Sequence, residues 1–183
     1  MKPKDALRKT LRESRDAMTQ DVRLSASAKI AKNALWLAGD VKRIGIYLSM
    51  KSEVDTIEII TSCLLDHKEI YLPKVQGKDL QWIRIYDFKS LKASPFGVLE
   101  PTEGESIDIG DIELMFVPML GFDPSLHRVG YGAGFYDRAL KNYDGKKIGL
   151  SYASGQVDRI ATHPNDIPVD VVITENEIIS KHL

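Results

Sequence analysis

Arg43–Leu72 reads RIGIYLSMKSEVDTIEIITSCLLDHKEIYL. Its first six residues, Arg43–Leu48, are β-branched and aromatic, the composition of a short strand. Asp55–Leu65 then reads as a helix, and Glu69–Leu72 is strand-like again. This is a strand–helix–strand unit, and the alternation continues downstream. Trp82–Tyr86 alternates apolar and polar residues, as a strand with one solvated face does. Leu114–Val117 is fully apolar and is ended by Pro118. A Gly-rich loop follows, then a helix expected over Phe135–Tyr143. Lys147–Leu150 and Val169–Thr174 read as further buried strands. Upstream, Leu7, Leu11, Arg15 and Met18 recur near a helical period. Thr19 and Asp21 open a second helix carrying Val22, Ala26, Ile30, Ala34 and Leu37, and Gly39 stops it. Lys89–Gly110 holds Pro, Gly and acids, and reads as an irregular surface connection. The sum is an α/β fold: a mainly parallel sheet flanked by helices on both faces, with an N-terminal helical pair. Residues 1–183 are expected to form one domain.

Composition narrows the class of partner. The net charge of −1 gives no attraction for a polyanion, so nucleic acid is not expected. Met1–Leu11 is too charged for a secretory hydrophobic region. No apolar run approaches the ~20 residues that span a bilayer. The one cysteine, Cys63, allows no intramolecular disulfide and sits in an apolar helical stretch, where packing outweighs chemistry. The expectation is a cytoplasmic protein that does not bind membranes and acts as a monomer. No Cys/His cluster has zinc-ligand spacing. Ser125 and His127 lack the context of a nucleophile elbow. His163 precedes Pro164 close to a possible site, whereas His67, His127 and His182 read as surface residues.

In parallel sheets ligands bind beyond the carboxyl ends of strands. The segment that follows Leu114–Val117 is therefore the place for chemistry. Phe122–Leu140 reads FDPSLHRVGYGAGFYDRAL. Gly130, Gly132 and Gly134 alternate with Tyr131 and Ala133. Glycines let backbone N–H groups approach a ligand and adopt positive φ. Ahead of a helix, such a loop suits phosphate. Arg128 adds a planar bidentate donor. Asp137, just beyond the loop, makes sense beside phosphates when a cation stands between them, and magnesium takes one or two carboxylates plus phosphate oxygens. No Gly-Lys-Ser/Thr follows, so this is not a Walker A loop. A flexible turn leading into a helix is the plainer alternative. Glu53, after the strand ending near Leu48, is either a ligand acceptor or a charge favourable to a helix N-terminus. Lys4 and Arg8 lie one helical turn apart and can face one anion, although such pairs usually form a solvated face.

RVGYGAGFYDR at 128–138 resembles the R-x-G-x-G-x-G-Y-Y-D pattern of the 5-formyltetrahydrofolate cyclo-ligase family. LSMKSEVDT at 48–56 is similar to that family's segment after its first strand. Lys4-Asp5-Ala6-Leu7-Arg8 is similar to its N-terminal K-x-x-L-R. Asp166-Ile167-Pro168-Val169-Asp170 is similar to its D-x-P-x-D. The four pieces occur in the family's order along the whole chain. Phe135 stands where the family has tyrosine, and Ala133 where it has glycine or lysine.

The resemblance implies an ATP-dependent ligase that converts 5-formyltetrahydrofolate to 5,10-methenyltetrahydrofolate, with ADP and phosphate released. It implies ATP contact by Lys4, Arg8, Arg128, the Gly130–Gly134 loop with Tyr131 and Ala133, Phe135 and Tyr136. It implies a folate pocket of Leu48, Met50, Glu53, Phe135 and Tyr136. Arg128 and Tyr136 would take part in the chemistry, and Asp137 and Asp170 would share one magnesium ion. Two alternatives stay open. One is a sugar-phosphate isomerase or acyl-CoA enzyme of similar architecture. The other is a catalytically weak folate or nucleotide sensor, suggested by Phe135 and Ala133.

Overall fold

The computed structural model describes residues 4–94, 97 and 99–181; His182 therefore lies outside the described residues. In chain order the elements are α1 (Asp5–Asp16), α2 (Gln20–Ala38), β1 (Arg43–Ile46), α3 (Ile57–Leu65), β2 (Glu69–Gln76), β3 (Asp79–Ile85), β4 (Leu91–Ala93), β5 (Leu99–Pro101), β6 (Ser106–Ile107), β7 (Leu114–Pro118), β8 (Gly121–Phe122), β9 (Arg128–Val129), α4 (Phe135–Leu140), β10 (Lys146–Leu150), β11 (Val171–Ile173) and β12 (Ile178–Ser180). The expected α/β architecture is present. Among the described residues, one eight-stranded sheet runs in the order β12-β11-β10-β7-β1-β2-β3-β6. The five strands from β11 to β2 are mutually parallel. The strands outside them, β12, β3 and β6, pair antiparallel.

Side-chain alternation divides the core. Ile44 and Ile46 of β1, Leu114 and Phe116 of β7, and Ile148 and Leu150 of β10 face one layer. There they meet Ile30, Ala34 and Ala38 of α2 and Ile59, Ile60 and Cys63 of α3. Small residues on α2 let it approach the sheet. Ile30, fully buried, is worth roughly 1.5–3 kcal/mol of hydrophobic stabilisation. Thr19 caps α2 by accepting from the Val22 N–H, and the helix ends at Gly39 as its sequence predicts. Cys63 is a core residue, its thiol pushed up to about 11 by burial. Met115, Val117 and Val172 face the other layer, with Ile112, Leu126, Leu140 and Val169. That face carries the short α4 and irregular chain.

Three segments differ from the sequence reading. Lys89–Gly110 is not all irregular, since it contributes the β4–β5 ribbon and the edge strand β6. The second strand runs to Gln76 and forms a long hairpin with β3. The helix expected over Phe135–Tyr143 stops after six residues, at Leu140. Tyr143 instead packs into the core.

Candidate active site

A cavity of about 730 Å³ opens beyond the carboxyl ends of β1, β2 and β7. A volume of that order encloses a drug-sized ligand. Leu48 follows β1, Pro73 and Val75 come from β2, and Pro118 ends β7; all four line it. The start of α1, the end of β9, the 130–134 loop and α4 complete the walls. Lys4, Arg8, Leu48, Met50, Glu53, Arg128, Gly130, Tyr131, Gly132, Ala133, Gly134, Phe135, Tyr136 and Asp137 are all brought to this one space.

Asp170 is not. It precedes β11, at the opposite end of that parallel strand from the cleft. Its Oδ2 accepts from the Lys147 backbone N–H at 2.7 Å and from Lys147 Nζ at 3.0 Å. The carboxylate near Asp137's side of the cavity is Asp166, which the sequence reading quoted without assigning it a role. Asp166 accepts from Lys4 Nζ at 2.6 Å, an ion pair that ties the chain's start to its last quarter. Its pKa is lowered; burial works against this, and the Lys4 hydrogen bond and the His163 N–H outweigh it. His163 lines the same space.

The cations are preset. Arg128 is 7% exposed and donates to Asp137 Oδ1 at 2.7 Å. The same Oδ1 accepts from the Ile167 N–H at 3.2 Å. Burial lowers the guanidinium's pKa, and Asp137 opposes that shift. Arg8 Nε donates to the Gly130 carbonyl at 3.0 Å, fastening α1 to the glycine loop. In that loop Gly132 and Gly134 have φ of +99° and +71°. The φ of Gly132 favours glycine, and a Cβ there would also press on the Arg8 guanidinium at 3.2 Å, which would have to give by a few tenths of an ångström. Since α4 is a single short helix, its dipole adds little to the site. Arg138 stacks over Phe135, 5.1 Å from its ring centroid, and donates to the Lys78 and Ala133 carbonyls.

Four buried side-chain polar atoms have no hydrogen-bond partner among the described residues; Arg128 Nε and the Tyr136 hydroxyl belong to residues that line the cavity, and the hydroxyls of Tyr143 and Ser180 lie away from it. Buried polar groups are normally paired, so two unpaired donors in one cavity need a cause. Burial pushes the Tyr136 phenol far above its ordinary value, which keeps it a protonated donor at neutral pH.

At the other end, Met50–Glu53 forms a turn closed twice. The Glu53 N–H donates to the Met50 carbonyl at 3.0 Å, and the Met50 N–H donates to Glu53 Oε2 at 2.8 Å. The Tyr131 hydroxyl donates to Glu53 Oε1. Glu53 is therefore not the helix-end charge offered as an alternative, since Glu58 occupies α3's first turn. Its pKa is raised, first by desolvation, with Tyr131, the Met50 N–H and Arg15 pulling it back. Sequence reasoning gave Tyr131 only to the phosphate loop and gave Arg15 no role. The signal for Arg15 was present: it shares a helical face with Leu7 and Leu11.

Residues 1–175 match the family model described as the 5-formyltetrahydrofolate cyclo-ligase family. A 5-formyltetrahydrofolate cyclo-ligase of Haemophilus influenzae is 29% identical over 178 residues, covering 91% of this chain and 95% of that protein. The NMR structure of Aquifex aeolicus 5,10-methenyltetrahydrofolate synthetase superposes with a TM-score of 0.87 at 32% identity, covering 98% of this chain and 93% of that one. A 5,10-methenyltetrahydrofolate synthetase from Mycoplasma pneumoniae has the same fold, with a TM-score of 0.79 at 24% identity over 94% and 99% of the two chains. By the extent of that match, this chain belongs to the 5-formyltetrahydrofolate cyclo-ligase family.

Proposed function

We propose that this enzyme uses ATP to convert 5-formyltetrahydrofolate to 5,10-methenyltetrahydrofolate. The difficulty of the reaction is that an amide-like formyl oxygen is a poor leaving group. Phosphorylation by ATP makes it a good one: the formyl oxygen attacks the γ-phosphorus and ADP departs. N10 then attacks the activated carbon and loses its proton, and the oxygen leaves within inorganic phosphate. No protein nucleophile is needed. The work left to the chain is alignment and charge neutralisation.

Arg128, Lys4, Arg8 and the Gly130–Gly134 backbone hold the phosphates in this reading. Leu48, Met50, Glu53 and Phe135 hold the folate, with Glu53 accepting from the pterin's N–H edge. Tyr136 donates to the oxygen in transit. The acids fit a magnesium ion that arrives with the nucleotide. Asp137 and Asp166 both line the cavity, and magnesium asks for only one or two carboxylates besides phosphate oxygens. A closed protein cage is not offered, since no cluster of three metal-binding side chains exists among the described residues. When bound, magnesium would neutralise phosphate charge. Lys4 and Arg128 would then exchange their carboxylate partners for phosphate oxygens.

The observation that carries this reading is the pair of unpartnered buried donors, Arg128 Nε and Tyr136 Oη, in a cavity with preset cations on one side and an acceptor carboxylate on the other. No helix among the described residues is long and apolar enough to cross a membrane. The test is formation of methenyl-folate absorbance with and without ATP and magnesium. Turnover with both, and none without ATP, is expected. ATP-independent conversion, or binding without turnover, would refute the proposal.

A further inference from the structure

We propose that Arg15 and Tyr131 are positioning residues that fix the orientation of Glu53 through a relay Arg15–Tyr131–Glu53. The proposal rests on the assignment of Glu53 to the folate. It adds two residues to that subsite and moves Tyr131's hydroxyl from the phosphate side to the folate side.

Arg15 is 8% exposed, on the apolar face of α1. A buried guanidinium persists only where its donors are met. Here Nε donates to Ser52 Oγ at 3.1 Å and Nη1 donates to the Tyr131 hydroxyl at 3.0 Å. The guanidinium carbon also lies 5.7 Å from the Tyr131 ring centroid. Neither hydrogen-bond acceptor is a carboxylate. Each hydroxyl passes its own proton onward, Ser52 to Asp16 and Tyr131 to Glu53. Arg15 thus reaches two acids at one remove.

That arrangement has a chemical consequence. A direct fork from arginine would occupy both oxygens of Glu53. Through Tyr131, only one acceptor position of Oε1 is used, and the Met50 N–H takes one of Oε2. A carboxylate has about four acceptor positions, so one on each oxygen stays available for a pair of ligand donors. Arg15 supplies positive charge without competing for them. The ionisable or charged groups around Glu53 are Tyr131, Arg15 and Tyr152, whose hydroxyl donates to the Glu53 carbonyl at 3.0 Å, with the Tyr47 and Tyr136 phenols also feeling its charge. Loss of the Tyr131 hydroxyl removes a contact that favours the ionised acid. The acid limb of folate-dependent activity then moves to higher pH.

Steady-state kinetics on the full chain tests this with Tyr131→Phe, Arg15→Gln, Glu53→Gln and the double variant Tyr131→Phe/Glu53→Gln. Tyr131→Phe and Arg15→Gln should each raise the folate KM about tenfold and leave the ATP KM within about twofold. In Tyr131→Phe the acid limb of kcat/KM for folate should move up in pH. Added to Glu53→Gln, Tyr131→Phe should have less than about twofold further effect, because the relay has lost its end. Tyr131→Phe keeps the ring and its packing, so it decides the matter even if Arg15→Gln fails to fold. If Glu53→Gln raises the folate KM while Tyr131→Phe does not, the relay is wrong and the folate reading stands. If Glu53→Gln leaves the folate KM unchanged, the folate reading itself fails. A rise in ATP KM with Tyr131→Phe returns its hydroxyl to the phosphate side and overturns the proposal.

Discussion

Tyr136→Phe should make the ligand-free protein more stable and the enzyme slower. The Tyr136 hydroxyl is buried without a partner among the described residues. Such a group costs about 1–3 kcal/mol of unrepaid desolvation. Phenylalanine removes that cost and keeps the ring, including its edge contact with Trp82 at 6.2 Å between centroids. Stability should therefore rise by about 1 kcal/mol, or about 2–4 °C in Tm for a chain of this size. In the proposed reaction the same hydroxyl donates to a charged oxygen. Losing that bond removes about 1.5–3 kcal/mol, so kcat should fall roughly ten- to a hundredfold while the folate KM changes little. Scanning calorimetry and methenyl-folate absorbance at saturating substrate measure the two halves. A lower Tm with unchanged kcat would show that the hydroxyl is satisfied in the resting protein and has no part in turnover.

Arg128→Ala should raise the ATP KM roughly ten- to a hundredfold and the folate KM much less, because a charge-assisted phosphate contact is worth about 1.5–3 kcal/mol; unchanged ATP affinity would leave Arg128 only as the partner of Asp137. Asp137→Asn should shift the magnesium titration of activity to higher concentration and, because it takes the carboxylate from the buried Arg128 guanidinium, also lower Tm; normal turnover at low magnesium would remove Asp137 from the metal's contacts. Phe135→Tyr should stay within about tenfold of the parent in folate affinity, while Phe135→Ala, which loses the ring under Arg138, should be severe. Folate titration by fluorescence distinguishes these, and parent-like binding by Phe135→Ala would place the ring outside the pocket.

Much of this was legible because strand and helix periods differ. Arg43–Leu48 and Leu114–Val117 announced central parallel strands through β-branched and apolar runs, and a parallel sheet fixes where a ligand can sit. The glycine spacing at 130–134 and the flanking Arg128 and Asp137 then marked that place. What stayed hidden depended on contacts between distant segments. Lys4 meets Asp166 across the whole chain, and no local pattern encodes that meeting. In sequence the metal role fell to Asp170 and none to Asp166, yet Asp166 lines the cavity and Asp170, four residues on and just ahead of β11, lies at the other end of that strand. Tyr131 looked like a loop spacer between two glycines, and only Arg15 and Glu53, brought from α1 and the turn after β1, reveal where its hydroxyl goes. The β4–β5 ribbon alternates, as Leu91-Lys92-Ala93 and Leu99-Glu100-Pro101, but over three residues a strand, too few for the period to stand out.

The central claim is that ATP phosphorylates the formyl oxygen before N10 closes the ring. Isotope transfer tests it without reference to any mutant. Substrate labelled with oxygen-18 in the formyl group is converted in unlabelled water with ATP and magnesium, and the released phosphate is analysed by mass spectrometry. Label recovered in inorganic phosphate, one atom per turnover, is the predicted result. Unlabelled phosphate, with the heavy oxygen lost to water, would contradict the account.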